Sequence, residues 1–514
     1  MIRTFRNLWR LFVILRTLAR HDALFLQELG DILPGLALLG RLLRRRSSEG
    51  RPGQRLAAAL TELGPTFIKL GQALSTRSDL VGEQIAGDLA KLQDRLPPFP
   101  SEAAVAIIEE QLEKPLDQLF SSFDHKAIAA ASIAQVHFAV TIGGAQVAVK
   151  VLRPGIERAF RRDIDLLYWL TELALRAQPR LQRLRPMEVV EIFERTSHME
   201  MDLRMEAAAA SELAGNFRDD PWFRVPKVDW DRTAQRVLTL ERIHGIKVDE
   251  TAKLIEAGHD LNHITAIASA SFFNQVFRDG YFHADLHPGN LFVNHEGGVT
   301  VVDFGIMGRL DRATRYYLAD MLLGFLTGDY RRVALVHFQA GYVPANKSIE
   351  IFTQACRAIG EPLLNKPLNE ISVGRLLAQL FAVTEQFEME TQPQLLLLQK
   401  SMLTAEGVGR TLNPEINMWE LARPLIEDWM REHRGPEARV LDEIEGALKA
   451  LRQLPDLVRG TKRTAELLEK GLRLDPETIA AFAQSHNRQR RSELWPLWAA
   501  VAALAATLVW LAGH

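Results

Sequence analysis

Apolar and polar positions change period several times along the chain. At helical spacing, apolar residues recur over Leu56 to Leu74 with a break at Gly64-Pro65, and again from Ser101, read as a cap, to about Leu112. Ile156 to Ala177 and Met187 to Phe217 carry the same period, separated by Gln178-Pro179 and Arg185-Pro186, and Leu261 to Arg278 forms one long apolar helix. Runs rich in β-branched residues lie between them. Ala129 to Val140 and Val147 to Leu152 flank Gly143-Gly144, and Val225 to Trp230 and Arg236 to Gly245 follow as two more strands. Residues 281–310 then read as a loop, a strand Leu291 to Val293, a Gly297-Gly298 turn, a strand Val299 to Val302 and a second loop. From Asp311 to about Leu472 the pattern is helical, with breaks near Gly341–Pro344, Glu361-Pro362, Asn413-Pro414 and Arg434–Pro436. Short strands thus lie among long helices, and the chain mixes α and β elements.

The two ends stand apart from this body. Over Met1 to Arg20 the apolar residues Phe5, Leu8, Leu11, Phe12, Leu15 and Leu18 lie mostly opposite Arg3, Arg6, Arg10, Arg16 and Arg20. Such a basic amphipathic helix either lies on an anionic membrane surface or docks on the rest of the protein. Arg10 and Arg16 interrupt what would be the apolar region of a secretory signal. At the other end Leu494 to Ala512 has no charged residue, Trp495, Trp498 and Trp510 sit near its two ends, and Arg488–Arg491 precede it. That pattern predicts a single transmembrane helix over 493–514 with the body on the cytoplasmic side.

Composition narrows the function. With 62 Lys+Arg against 64 Asp+Glu, the formal net charge of −2 offers no basic field for nucleic acid, which is excluded as a partner. A single cysteine, Cys356, excludes an internal disulfide framework and a multi-cysteine zinc site.

The candidate chemistry sits on the hairpin at 281–310. A hairpin carries both of its flanking loops to one end, so Asp285, Asn290 and Asp303 should come together. Phosphoryl transfer needs this set: one carboxylate for the acceptor hydroxyl, and an amide and a second carboxylate for the Mg2+ ions on the ATP phosphates. His283-Ala-Asp285-Leu-His-Pro-Gly-Asn290 followed by Asp303-Phe-Gly305 reproduces the order H-R-D-x-x-x-x-N then D-F-G, with Ala284 in the arginine position. Asp285 is therefore the candidate catalytic residue, and Asn290 and Asp303 the candidate metal ligands. Val147-Ala-Val-Lys150 matches the strand that supplies a phosphate-facing lysine, and the preceding loop, Ala130, Ala131, Ser132, Ile133, Ala134, Gln135, Val136 and His137, would cover the nucleotide. Alanines replace the usual glycines there, so backbone amides cannot approach phosphate as closely. The lysine needs a helix glutamate; Glu206 is the first choice, with Glu200 and Asp202 on adjacent turns as alternatives. No Ala-Pro-Glu follows Asp303-Phe-Gly305, so the segment that orders protein substrates is missing or rebuilt.

Together with Lys69-Leu-Gly71-Gln72, Glu200-Met-Asp202 and Lys400 to Pro414, these motifs make the chain resemble the UbiB family of atypical kinases over roughly Leu56 to Pro414. The resemblance implies an α+β, two-lobed kinase-like fold with ATP and Mg2+ as cofactors, serving ubiquinone biosynthesis. It implies that Lys69 and Gln72 meet Glu200 and Asp202 above the ATP and occlude the cleft. Ala207–Ala210 departs from the asparagine common in that family. On this basis 1–50 would be basic N-terminal helices, 51–122 a helical extension, 123–243 an N-lobe with a helical insertion, 244–455 a C-lobe, 456–492 a helical linker and 493–514 the membrane span. Expected partners are membrane lipids, quinone-precursor lipids and other ubiquinone-biosynthesis proteins at the cytoplasmic membrane. The alternatives are a small-molecule phosphotransferase of the aminoglycoside or choline kinase type, which shares His-x-Asp-Leu-His-x-x-Asn, and a nucleotide-binding scaffold without turnover.

Overall fold

Arginines decide the fate of the first helix. The structure, a computed structural model, describes residues 2–23, 50–75, 81–89, 92, 96–177, 186–362, 383–384, 386–389, 393–415 and 418–434. Apart from the end of the last helix these belong to one compact unit, Met1–Arg431. Helix α1 (Ile2–Arg20) buries Ile14, Leu15 and Ala19. Its Arg10 forks onto Asp163 at 2.8 and 2.9 Å, and Arg6 pairs with Asp165. A forked guanidinium on a buried carboxylate fixes orientation as well as position, so α1 is docked on the body. Leu8 and Trp9 remain exposed on its outer side.

Helices α2 (Pro52–Leu63) and α3 (Pro65–Ser75) are separated by Gly64 at φ 103°, a conformation that favours glycine. With α4 (Glu83–Leu89) they enclose Leu60, Leu63, Phe67, Ile68 and Leu89. Gly71 is a close-packing point, since a Cβ there would fall 2.7 Å from Leu60 Cδ1. Helix α5 (Ser101–Leu112) begins one residue earlier than expected: Pro100 is its cap, and Ser101 Oγ meets His125 Nδ1 at 3.0 Å instead. A short α6 (Leu116–Leu119) leads into the strands β1 (Phe120–Phe123), β2 (Ala129–Ala130), β3 (Ala134–Thr141) and β4 (Gln146–Leu152).

Next come α7 (Ile156–Ala177), α8 (Pro186–Glu200) and α9 (Leu203–Asn216). The single helix expected over Met187 to Phe217 is thus two. Asp202 leaves helical geometry, and its carboxylate accepts from the Arg204 N–H to cap α9. A side chain that offers the backbone such a bond competes with helix continuation. Of the strands expected over Val225–Trp230 and Arg236–Gly245, only the second forms as such. The structure has β5 (Phe223–Arg224), an isolated bridge from Val228 to Leu240, a 3-10 turn at Trp230–Arg232, and then β6 (Val237–Glu241) and β7 (Ile246–Lys247).

After α10 (Thr251–Glu256), α11 (Leu261–Phe273) continues as a wider π turn to Asp279. Strands β8 (Tyr281–His283), β9 (Leu291–Val293), β10 (Val299–Val301) and β11 (Met307–Arg309) follow. The expected hairpin is β9–β10, paired Val299 to Val293. Tyr281–His283, expected in a loop, is instead a strand that pairs with β11. The rest is helical: α12 (Arg312–Thr327), α13 (Tyr330–Gln339), α14 (Ile349–Gly360), α15 (Pro393–Leu412) and α16 (Met418–Arg434).

Two cores define two lobes. The first surrounds the antiparallel sheet β1-β3-β4-β6, with β2 on β3. One of its faces packs Val149, Val151 and Val237 on Ile107 and Ile108 of α5; the other packs Leu152 and Leu238 on Phe160 of α7 and Ala207 of α9. The second core gathers Phe272, Phe273 and Phe282 with Leu291, Val301, Leu398 and Val408 around the sheet β5-β10-β9-β7. The result is an α+β, kinase-like arrangement. Among the described residues no helix is long and apolar enough to cross a membrane; the linker 456–492 and the span predicted over 493–514 lie outside them.

Candidate phosphoryl-transfer site

Lys150 lies in β4 opposite Val136 of β3 and Leu238 of β6, which puts its side chain on the face of the sheet covered by α9. Its Nζ donates to both carboxylate oxygens of Glu206, at 2.7 and 2.9 Å, and to Asp303 Oδ1 at 3.1 Å. Residues 56 and 153 positions away in sequence thus converge on one ammonium. Glu206 is nearly buried, with 8% of its side chain exposed, whereas Asp303 opens to solvent at 52%. Burial would lower Lys150, but the carboxylates of Asp303 and Glu206 outweigh it and hold the amine above its ordinary range. The same ammonium holds Asp303 well below the usual carboxylate range, against partial burial. Burial, reinforced by the charge of Asp303, pushes Glu206 upward while Lys150 opposes it. Two carboxylates on one ammonium leave local negative charge, which favours a further cation.

Both loops hang on His283. This ring is buried; its Nδ1 accepts from the Asp285 N–H at 3.1 Å and its Nε2–H donates to the Asp303 carbonyl at 2.8 Å. Burial lowers its pKa, so it serves as a neutral clamp with a fixed tautomer. Phe304, also buried, meets the ring edge-on at 5.8 Å. Asp303 itself sits at φ 65°, left-handed backbone that a non-glycine residue seldom adopts and that is characteristic of functional sites. Asn290 Nδ2 donates to the Asp285 carbonyl at 3.1 Å, so Oδ1 is its atom left for a metal. A neutral amide oxygen and an ionised, half-exposed carboxylate suit Mg2+, which binds few protein oxygens and completes its shell with phosphate and water. Among the described residues no larger cluster of His, Cys, Asp or Glu could hold an ion.

The loop expected over the nucleotide is only partly where the sequence puts it. Ala131 N–H closes a tight turn on the Ala134 carbonyl at 2.8 Å, and Arg153 pins the Ala131 carbonyl from two nitrogens. Ala130 ends strand β2 opposite Gln135, Ser132 and Ile133 belong to this braced turn, and Ala134 to His137 are already strand β3. Gln135 and His137 correct the expectation: their side chains lie on the face away from Lys150. Gln135 accepts from Phe99 N–H at 2.9 Å and donates to His137 Nε2 at 2.9 Å, while His137 Nδ1–H reaches the Asp124 carbonyl at 2.9 Å. They brace the loop from behind, and Val136 shares the lysine's face.

Glu200 pairs not with Lys150 but with Lys69 at 2.9 Å, both side chains being 14% exposed. The charge of Lys69 also helps depress Asp303, so α3 reaches the site. Gln72 lies one turn further along α3, half-buried. Asp202, expected beside Lys69 and Gln72, caps α9 and forks with Arg204 at 2.9 and 2.7 Å. One residue not singled out from sequence is present: Lys400 of α15, whose Nζ lies 3.3 Å from Asp285 Oδ1. It opens the Lys400 to Pro414 segment that carries the resemblance, but nothing in that segment gives it a role, because its partner is 115 positions away.

A strand lysine held by a helix glutamate, facing an Asp-Phe-Gly aspartate above a His-x-Asp loop on a two-lobed frame, defines an atypical kinase-like protein. Residues 91–337 match the family described as ABC1 atypical kinase-like domain, and 356–417 match the UbiB helical domain. The chain is 45% identical over 446 residues to a protein of Azotobacter vinelandii named probable protein kinase UbiB, covering 86% of this chain and 81% of that one. It is 42% identical over 498 residues to the Pseudomonas putida protein of the same name, covering 95% and 90%. It therefore belongs to the UbiB family. A solved structure from Mycobacterium tuberculosis, titled as the complex of Rv3197 with erythromycin, shares the fold with a TM-score of 0.52 at 26% identity, over 72% of this chain and 95% of that one.

Proposed function

We propose that the protein binds Mg-ATP between its lobes and hydrolyses it or transfers its γ-phosphoryl group. Lys150, fixed by Glu206, would hold the phosphates; Asn290 and Asp303 would hold Mg2+, which neutralises phosphate charge; Asp285 would take the proton of the attacking hydroxyl. The single observation that carries this reading is the convergence of Lys150, Glu206 and Asp303 within 3.1 Å. Family membership and the predicted span at 493–514 support a role at the cytoplasmic face of the membrane in ubiquinone biosynthesis. There the protein would act on, or present to other enzymes, apolar lipid intermediates. The Lys69–Glu200 ion pair supports α3, with Gln72, as the element that restricts access to the cleft, so large protein acceptors are disfavoured.

The test is complementation of a strain lacking the protein, with ATP turnover of the purified full chain measured on anionic vesicles. Asp303→Asn and Asp285→Asn should abolish both quinone synthesis and phosphate release. Restoration of quinone by either variant would refute the catalytic assignment, and nucleotide binding with no turnover by the parent would favour a scaffold.

A further inference from the structure

The loop from His283 to Asn290 contains neither lysine nor arginine, and alanine occupies the arginine position of the H-R-D pattern. Lys150 is meanwhile committed to Glu206 and Asp303. The cation that the structure records against Asp285 comes from elsewhere: Lys400, in the helix matched to the UbiB helical domain, with Nζ 3.3 Å from Asp285 Oδ1.

Its helix is firmly held. Leu398, Val408 and Leu412 of α15 are buried in the second core with Phe272 and Leu291, and Ser401, also buried, bonds back to the Leu397 carbonyl at 2.8 Å. Lys400 projects from this base with 39% of its side chain exposed, and Asp285 is exposed to a similar 38%. An ion pair that open to water adds little to stability, so packing gives no reason to place an ammonium there. Transfer of a phosphoryl group does give one, because negative charge on the γ-oxygens must be met beside the residue that receives the proton.

We propose that Lys400 is a catalytic cation, donated to the active site by the helical domain. Before ATP arrives it holds the Asp285 carboxylate in place; with ATP bound it meets the γ-phosphoryl oxygens. In the step it serves, an acceptor hydroxyl or water gives its proton to Asp285 as its oxygen forms a bond to the γ-phosphorus. The bond from that phosphorus to the β–γ bridging oxygen breaks, and ADP leaves with the electron pair. The helical domain then belongs to the catalytic machinery as much as the two lobes do.

This rests on the proposed ATP chemistry, and the test separates the two. Lys400→Met, Lys400→Arg and Asp285→Asn full-length proteins would be compared for Mg-ATP affinity, for kcat and KM of phosphate release, and for complementation. Removing one preorganised charge at the reacting group should lower kcat by about a hundredfold. Expected for Lys400→Met is that loss with KM for ATP and the melting temperature little changed, weakened complementation, and partial recovery of kcat in Lys400→Arg. Asp285→Asn inactive beside a fully active Lys400→Met would overturn this proposal and leave the function standing. Equal loss in Met and Arg variants, accompanied by a lower melting temperature, would make Lys400 structural and overturn it too. Full activity in all three variants would refute both readings.

Discussion

At Lys150 the sequence was most informative, because a rare pattern and a mechanism coincide: the strand lysine meets Asp303 as the motifs predict, and Glu206, the first choice among three acids, is its helix partner. Gln135 and His137 show where motif reading fails. Side chains in a strand alternate between faces, and Val136 is the residue opposite Lys150, so its two neighbours must point the other way. Motif membership carries no such parity. The salt bridge itself invites a test. Glu206→Gln keeps shape and some hydrogen bonding but leaves Lys150 to Asp303 alone, so the ammonium is pulled toward the metal ligand. Phosphate release should fall by about a hundredfold, a usual loss when a preorganised charge is removed from a site, with a melting temperature close to the parent's. Retained turnover in Glu206→Gln would show that the pair does not position the lysine.

Elements were legible where one signal dominated and obscure where two competed. The β9–β10 hairpin and the Gly64 break between α2 and α3 follow directly from turn residues. The split of 187–217 does not, because its apolar period runs through Met201 and only the capping bond of Asp202 reveals the break. That cap supports the turn that carries Glu206. Asp202→Ala should cost about 1 kcal/mol, seen as a lower urea midpoint, and should reduce turnover more than stability as Lys150 loses a firmly held partner. Strand β8 was invisible for a different reason: its pairing with β11 depends on a contact across 24 residues, Met307 to His283. Gly308 makes that pairing possible, since a Cβ there would fall 2.1 Å from Phe282 Cζ. Gly308→Ala should therefore destabilise by about 1–3 kcal/mol through overpacking beneath the catalytic loop, measured by denaturant unfolding. An unchanged midpoint would mean that Phe282 can turn aside.

On the scale of the whole molecule, the mixture of strands and helices was legible from the pattern and the two-lobed α+β arrangement from the resemblance its motifs carry, while the docking of α1 needed Asp163 and Asp165, more than 150 residues downstream. Electrostatics of the assembled protein make one global prediction. His137, His283 and His337 all have pKa values lowered by burial, His337 against the Val333 carbonyl in the distal helices and the other two in the lobes. Unfolding releases each to an ordinary value near 6.5. Below that pH the unfolded chain binds protons that the folded chain refuses, so stability falls as pH falls, by up to about 1.4 kcal/mol per pH unit for each histidine. Asp303 acts in the same direction further into acid, because its depressed folded pKa gives stability above the ordinary carboxylate value that is lost as pH drops toward the folded one. Urea midpoints should accordingly be flat between pH 7 and 8 and decline from pH 6.5 toward 5. His337→Gln removes one of the three protons without touching the phosphoryl-transfer site, so the decline should become shallower while phosphate release is retained. An unaltered slope in that variant would mean that His337 accepts a proton in the folded state.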